Sequence, residues 1–259
     1  MNADEKIILI TTGFPYGTGE NFIEAEIKAV AGDANLTVLP FNAHKGKARD
    51  LPDGVALDSN ILVSKSRTAK VKYGIKALFS RDFRSELLGF SKKSTVVKSL
   101  GYIARSIELA EYIEKFYIKN SADKRVVLYS YWLMEGAYAI ALLKKKYGNR
   151  IAAVSRAHRV DVWNDASAYG IVPARETTLK YLNKVYVCSQ DGADYLKKMY
   201  KKYADKFICG YLGTEEYGWH RNDNRENGFT VVSCARIEPV KRVELLVKAF
   251  QKIDDVKIH

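Results

Sequence analysis

KIILITTGFPYGTGENFIEAEIKAV, residues 6–30, is the stretch of this chain that decides its fold. Residues 6–14 form an apolar run that is rich in β-branched side chains and bounded by glycine and proline, which predicts a buried parallel strand. After a loop over residues 15–19, apolar residues recur at helical spacing from Phe22 to Val30, and Gly32 is the predicted helix stop.

The same alternation continues along the chain. Apolar runs predict further strands at residues 36–41, 125–132, 150–158, 184–189 and 206–214, and helical patterns occur at residues 64–80, 94–120, 135–148 and 190–200. Residues 42–60 predict a loop, and Ser189 is the predicted N-cap of the helix that follows it. Strands alternating with helices predict an α/β fold with a Rossmann-like, doubly wound parallel sheet, whose ligands bind outside the carboxyl ends of the strands.

A change in composition predicts a domain boundary. Residues 1–213 form the predicted Rossmann-like domain, and the polar residues 214–228 form the predicted linker. Residues 229–236 predict a new strand, residues 241–253 a new helix, and DDVKIH the start of another strand. Because one βα unit cannot bury its own apolar faces, residues 229–259 are expected to begin a truncated second Rossmann-like domain, with about 100–150 residues missing.

The composition is that of an ordinary globular protein. Of 259 residues, 47% are hydrophobic and 28% are charged, and no apolar run reaches the roughly 20 residues of a membrane span. No secretion signal is expected from the acidic N-terminus. Three scattered cysteines give neither a disulfide framework nor a metal cluster and suit a reducing cytoplasm, where we expect the protein to be.

The net charge of +12 favours an anionic partner. Between residues 64 and 100, only Asp82 and Glu86 oppose the basic residues Lys65, Arg67, Lys70, Lys72, Lys76, Arg81, Arg84, Lys92, Lys93 and Lys98. Two interpretations stay open. Residues 64–105 form either a solvated basic face or a surface for anionic lipid at the inner face of the cell membrane, where a lipid-linked acceptor would be found.

The first candidate site is the loop GFPYGTGE, residues 13–20. Glycines between a strand and a helix let backbone N–H groups approach a phosphate. Gly17 and Gly19 are followed by Phe22 where a dinucleotide fingerprint needs a third glycine, and Phe41-Asn42 ends the second strand without an acidic residue for a ribose. NAD is therefore not expected, and a phosphate site and a plain tight turn both stay open.

The second candidate site is SRAHRVD, residues 155–161, at the carboxyl end of a predicted strand. The neutral imidazole of His158 can hydrogen-bond a sugar hydroxyl or a developing charge. Asp161 can orient that imidazole or accept a hydroxyl proton. The alternative is a histidine satisfied by the local backbone, with Asp161 as a helix cap.

The third candidate site lies between the strand and the helix predicted for the second domain. Arg236 leaves the strand and Lys241 starts the helix, so two cations flank a helix N-terminus. This arrangement suits a diphosphate, and two cations can replace a metal ion when a nucleoside diphosphate leaves. A solvated loop is the alternative.

Together these segments resemble the GT-B-fold glycosyltransferases of family 4, the group 1 glycosyltransferases. The pattern E-x-F-[IV]-x-x-E-I stands at residues 20–27, and S-R-A-H-x-x-D stands at residues 155–161. The opening of the family's donor domain stands as VVSCAR at residues 231–236, Lys241 and LLVKAF at residues 245–250. The resemblance covers nearly the whole chain except the basic segment at residues 64–120.

The resemblance implies a retaining transfer from a nucleotide sugar to a glycan or lipid-linked acceptor in polysaccharide biosynthesis, with no cofactor and no obligatory metal. Two departures matter: Arg159 stands where many relatives have glycine, and the donor-domain carboxylate pair would lie beyond His259, so the chain alone is expected to be inactive. The predicted site residues are catalytic His158 and Asp161, donor-binding Gly17, Gly19, Arg236 and Lys241, and Glu20 and Arg156 at the acceptor or the cleft.

Two other functions stay open. The high isoelectric point suits a nucleic-acid-binding protein, but the sequence carries no recognition-helix, RNP, zinc or basic-zipper signature, and no nucleic acid is expected. A non-catalytic α/β partner module is the second alternative.

Overall fold

Parallel strands and helices alternate through most of the chain. The computed structural model describes residues 5–32, 35–42, 46–60, 66–87, 89, 93–119, 121, 125–164, 171–216, 218, 231–235 and 237–253. These residues divide into two units, Met1–Glu215 and Glu216–His259. In the first unit the described residues form the parallel strands β1 (Lys6–Thr11), β2 (Asn35–Pro40), β3 (Ala56–Leu57), β4 (Val126–Ser130), β5 (Ile151–Ala157), β6 (Lys184–Val187) and β7 (Phe207–Cys209).

Helices cover the sheet and connect its strands. They are α1 (Ile23–Val30), α2 (Arg67–Leu78), α3 (Arg81–Leu87), α4 (Lys93–Ile113), α5 (Glu135–Tyr147), α6 (Arg159–Val162), α7 (Arg175–Tyr181) and α8 (Gln190–Met199). A π-helical turn at Glu114–Ile118 extends α4, and 3-10 turns occupy Gly148–Arg150 and Lys201–Lys206. The fold is therefore α/β, with a Rossmann-like, doubly wound parallel sheet, as the alternating pattern predicts.

The strand order creates a crevice at one place in the sheet. The order is β3-β2-β1-β4-β5-β6-β7, and all the pairs are parallel. The chain moves outward from β1 to β3 and then returns to place β4 on the other side of β1. The loops after β1 and β4 consequently leave the sheet towards opposite faces, and a doubly wound sheet binds its ligands between such loops.

Alternating side chains of β1 serve two hydrophobic layers. Ile7 and Leu9 point to one face and pack with Ile23 and Ile27 of α1. Ile8 and Ile10 point to the other face and join the larger cluster under α4, α5 and α8. This is why the strand reads as a continuous apolar run: both of its faces are covered.

Helices α2 and α3 form an outer layer over α4 and α5. Ala77 of α2 and Phe83 of α3 are buried against Tyr102 and Ile103 of α4 and Tyr138 of α5. Among the described residues, these contacts cover only one side of α2.

The element boundaries differ from the predicted ones in ways that tertiary contacts explain. The observed strands end earlier, because the residues at their carboxyl ends turn into the loops of the candidate site. Ala56–Leu57 pairs with β2 inside the stretch predicted as a loop, since a two-residue edge strand has too few residues to show a pattern. Ser189 caps α8 as predicted, with its hydroxyl accepting from the Gly192 N–H at 3.1 Å.

The second unit holds a 3-10 turn at Pro239–Lys241 and the helix α9 (Val243–Phe250), within the predicted 241–253. No residue of α9 is buried. Residues 231–235, the described part of the predicted strand at 229–236, are not assigned to a strand, because no described segment pairs with them. The DDVKIH segment lies outside the described residues.

A search of the described helices finds none long and apolar enough to cross a membrane.

The close approach of α5 to the sheet gives a test of this packing. A Cβ added at Gly136 would lie 2.5 Å from Ser130 Oγ and 3.1 Å from Ile10 Cγ2. We expect Gly136→Ala to lower the free energy of unfolding by about 1–3 kcal/mol through overpacking, measured by chemical denaturation. The control is Gly101→Ala in α4, where an added Cβ meets nothing within 4 Å and should stabilise the helix by about 0.5–1 kcal/mol. Equal stability of the two variants would contradict this packing.

Candidate functional site

The carboxylate of Glu20 organises the loop after β1. Its Oε2 accepts hydrogen bonds from the backbone N–H groups of Gly13 and Phe14, both at 2.6 Å, and its Oε1 accepts from the Thr12 N–H at 3.1 Å. Glu20 is buried. The N–H groups at the start of this loop are therefore bound to a carboxylate of the chain itself and are not free for a phosphate.

Glu20 also reaches across the crevice. The indole Nε1–H of Trp132, in the loop after β4, donates to the Oε1 of Glu20. The turn that presents Trp132 is shaped by the Ser130 hydroxyl, which donates to the Trp132 carbonyl at 2.7 Å. One buried carboxylate thus joins the loops on the two sides of the point where the strand order reverses.

A second buried carboxylate joins the loop after β4 to the loop after β5. Asp161 has no exposed surface, and its Oδ2 accepts from the Leu133 N–H at 2.7 Å. Its Oδ1 accepts from the backbone N–H of His158, which caps the short helix α6. Arg175 of α7 donates to the carbonyls of Leu133 and Asp161 and completes the junction.

The imidazole of His158 lies in an aromatic enclosure at the centre of these loops. Its ring centroid is 4.5 Å from that of Trp132, 5.4 Å from that of Tyr131 and 5.6 Å from that of Phe22. The Tyr131 ring is nearly parallel to the imidazole, with 19° between the planes. Only 8% of His158 is exposed.

His158 and Asp161 form a capping box at the start of α6, but the N–H of Asp161 donates to the His158 carbonyl, at 3.2 Å, and not to the imidazole. Both ring nitrogens of His158 are therefore buried and have no hydrogen-bond partner among the described residues. Burial, reinforced by the positive charge of Arg156, lowers the pKa of His158 to about 4, so the ring is neutral near pH 7. A neutral imidazole offers one donor and one acceptor, and buried polar atoms without partners mark a place where a ligand can bind.

Arg156 lies against Tyr129 and Tyr131, on the side of the aromatic enclosure that faces Glu26. Its Nε donates to Glu26 Oε2 and to the Tyr129 hydroxyl, both at 2.8 Å, and its Nη1 donates to the Gly210 carbonyl at 2.8 Å. The hydroxyls of Tyr129 and Tyr131 donate to Glu26 at 2.6 and 3.0 Å. Burial and the charge of Glu26 raise the pKa of both phenols far above their usual value, so both remain donors.

The structure brings together His158, Asp161, Glu20 and Arg156 from the predicted set. Gly17 has a φ of +68°, which favours glycine, and its carbonyl accepts from Arg49 Nη2 at 3.0 Å on the exposed rim of the loop. Gly19 is exposed. Lys241 is exposed in the turn before α9, and Arg236 lies outside the described residues. The predicted roles of all these residues stay predictions.

The alternative interpretation of residues 155–161 was a histidine satisfied by the local backbone, with Asp161 as a helix cap, and its two parts have different outcomes. Asp161 is a helix cap, as that interpretation holds, but the imidazole of His158 is not satisfied by the local backbone. Sequence reasoning missed Trp132, Tyr131, Leu133, Arg175 and Arg49 as parts of the site. The one available signal was YSYW at residues 129–132, where aromatic residues follow a strand that ends beside β1. In the part of the chain that is described, no three potential metal ligands come together.

The bridging role of Glu20 leads to a stability prediction. Glu20→Gln replaces one acceptor oxygen by an NH₂ group that faces other donors, so we expect a loss of about 2–3 kcal/mol in the free energy of unfolding. The Trp132 fluorescence should change with it. In the control Glu24→Gln, the lost partners are Lys28 and Arg49 at the surface, and the expected loss is at most about 1 kcal/mol. Equal losses would contradict the bridge.

The buried neutral imidazole leads to a pH prediction. The pKa of His158 is lower in the folded state than its usual value of 6.5, so it contributes stability above that pH that is lost as pH falls towards about 4. The loss is at most about 3 kcal/mol. His158→Phe lacks this loss, so its stability relative to wild type should rise in acid, as denaturant titrations across this range would measure. Burial raises the pKa of Asp161, which by itself increases the stability of the folded protein as pH falls. Because Asp161 is present in both proteins, this contribution cancels when their stabilities are compared. Parallel pH curves would show that His158 is not buried as a neutral ring.

Compared with known proteins, the chain matches no family model and no curated protein. The membership of the glycosyltransferase family that its motifs suggest therefore stays a prediction from the sequence.

Proposed function

We propose that this chain is the acceptor-side part of a retaining GT-B glycosyltransferase, which moves a sugar from a nucleotide sugar to a glycan or a lipid-linked acceptor. The observation that carries the proposal is the neutral His158 ring at the crevice of a doubly wound sheet, whose two nitrogens are buried and find no partner in the described part of the chain. One sugar hydroxyl can donate to the nitrogen that carries no proton, and a second hydroxyl can accept from the ring N–H. The sequence resemblance assigns the same residue to sugar contact.

The surroundings of His158 suit a sugar more than a charged ligand. Three aromatic rings enclose the imidazole, and aromatic rings present apolar faces next to a few placed polar groups, as small-ligand sites do. The Thr12, Gly13 and Phe14 N–H groups of the loop are bound to Glu20 and are not free for a phosphate. The resemblance assigns the donor phosphates to Arg236 and Lys241, and Gly17 and Gly19 stay predicted donor-binding residues.

In the proposed reaction, the bond between the anomeric carbon of the sugar and the diphosphate oxygen breaks, and the same carbon bonds to the acceptor oxygen. The bonding electron pair leaves with the nucleoside diphosphate, which also takes the proton of the acceptor hydroxyl. Arg236 and Lys241 would stabilise the charge on the leaving diphosphate. His158 would hold the donor sugar, while Asp161 and Glu20, whose oxygens bind the backbone of the three loops, are positioning residues.

The division of the donor between two groups of residues predicts two different binding defects. The probes are UDP and UDP-glucose, GDP and GDP-mannose, and ADP and ADP-glucose, titrated calorimetrically into the chain and into any longer product of its gene. Arg236→Ala and Lys241→Ala should each weaken the bound nucleotide and its sugar equally, by about tenfold to a hundredfold. His158→Phe should weaken only the nucleotide sugar, by about tenfold.

Lys252→Ala is the matched control, because it removes an exposed cation of the same unit outside the proposed site. It should bind as the wild type does. If His158→Phe weakens UDP, GDP or ADP as much as the corresponding sugar nucleotide, His158 does not contact the sugar. If none of the six probes binds to either protein, the proposal fails, and a non-catalytic partner module becomes the better interpretation.

A further inference from the structure

The outer side of α2 carries an exposed stripe of large apolar residues. Val71, Ile75, Leu78 and Phe79 have exposed fractions of 62%, 53%, 48% and 68%. In a helix that advances about 100° per residue, these four positions lie opposite Ala69, Tyr73 and Ala77. Ala77 is buried and the Tyr73 hydroxyl donates to Glu111 of α4 at 3.2 Å, so this second side faces the protein.

Cations border the stripe on both sides. At the same helical advance, Arg67 and Lys70 lie along one edge, and Lys72 and Lys76 lie along the other, where they pair with Glu111. All four are exposed. An apolar stripe between rows of cations is the pattern of a helix that lies in the interface of a membrane.

Helix α3 extends the same face. Its Arg81 and Arg84 are exposed, together with Leu87. The two acidic residues of this helix point inward instead. Asp82 accepts from the hydroxyls of Tyr138 and Thr177, at 2.7 and 2.5 Å, and Glu86 accepts from the Ala174 N–H at 2.8 Å.

The inward direction of the acids has an electrostatic consequence. The two carboxylates that oppose the basic residues of this segment in the sequence are directed away from its outer surface, which is left apolar and positive. Burial also raises the pKa of Glu86 to about 7, which reduces its negative charge near neutral pH.

We propose that this surface, the α2–α3 face formed by Val71, Ile75, Leu78, Phe79, Arg81 and Arg84, binds the surface of an anionic lipid bilayer. The apolar stripe enters the boundary between head groups and acyl chains, while the cations contact lipid phosphates. We choose a bilayer over a nucleic acid because the apolar stripe and the cations lie side by side. A nucleic acid would be bound through the cations and would leave the four apolar side chains in water. The proposal does not depend on glycosyl transfer.

The α2–α3 face also has a defined place on the molecule. Tyr138 and Thr177 lie in the first turns of α5 and α7, and both helices follow the loops at the carboxyl edge of the sheet. Through Asp82, α3 is fixed to that edge, where His158 also lies. The α2–α3 face is thus linked by side-chain contacts to the edge of the sheet that carries His158.

The test is co-sedimentation with vesicles of phosphatidylcholine, with and without phosphatidylglycerol, at low salt. The chain should bind the anionic vesicles and not the neutral ones. Ile75→Ser with Phe79→Ser should weaken binding by at least about tenfold, because the apolar contact is lost. Arg81→Gln with Arg84→Gln should weaken it by about fivefold for each cation, and added salt should do the same.

The matched control is Lys198→Gln with Met199→Ser, which removes an exposed cation and an exposed apolar side chain at the end of α8. It should bind as the wild type does. The proposal is overturned if the wild type fails to sediment with anionic vesicles, if neutral vesicles bind it equally, or if the control loses as much as the α2 variant. It is also overturned, in favour of nucleic acid, if a generic RNA duplex displaces the vesicles and binds the Ile75→Ser, Phe79→Ser variant undiminished. Circular dichroism of each variant checks that it is folded.

Discussion

The site depends on a single carboxylate, that of Glu20, placed just beyond the point where the pairing of β1 with β4 ends. The strand order reverses between β1 and β4, so the loops that leave these strands diverge and share no backbone ladder. Glu20 supplies the missing connection, because it accepts from three N–H groups of one loop and from the indole of Trp132 in the other. Its charge makes each of these hydrogen bonds stronger than a neutral one. The same contacts occupy the first three backbone N–H groups after β1, which are then not free to bind an anion.

The contacts of Glu20 and Asp161 determine which side chains line the crevice. With the loops joined by Glu20 on one side and by Asp161 on the other, the aromatic rings around His158 are held in place, and the imidazole cannot turn towards solvent for a partner. A buried nitrogen without a hydrogen bond costs about 1–3 kcal/mol. Neither nitrogen of His158 has a hydrogen-bond partner among the described residues, which is why the proposed sugar site is placed here.

The sequence predicts the part of this structure that depends on local pattern. The first strand and helix, the cap at Ser189 and the position of residues 155–161 at a strand end all follow from periodicity and short-range chemistry. The contacts that make the site do not. Glu20 and Trp132 are far apart in the chain, as are Asp161 and Leu133, and no spacing in the sequence relates a carboxylate to a backbone N–H of another loop. Arg175 was missed for the same reason, since both of its acceptors are carbonyls.

Helix α2 shows why periodicity alone cannot say which side of a helix is buried. By size and hydropathy, the side of α2 expected to face the core is the one formed by Val71, Ile75, Leu78 and Phe79. The structure places Ala69, Tyr73 and Ala77 there instead, because α2 lies over α4 as an outer layer, with Ala77 buried and the Tyr73 hydroxyl bonded to Glu111. The stripe of larger side chains stays exposed. Exposed apolar patches often mark interaction surfaces, and the cations beside this one are the reason that the proposal assigns it to an anionic bilayer.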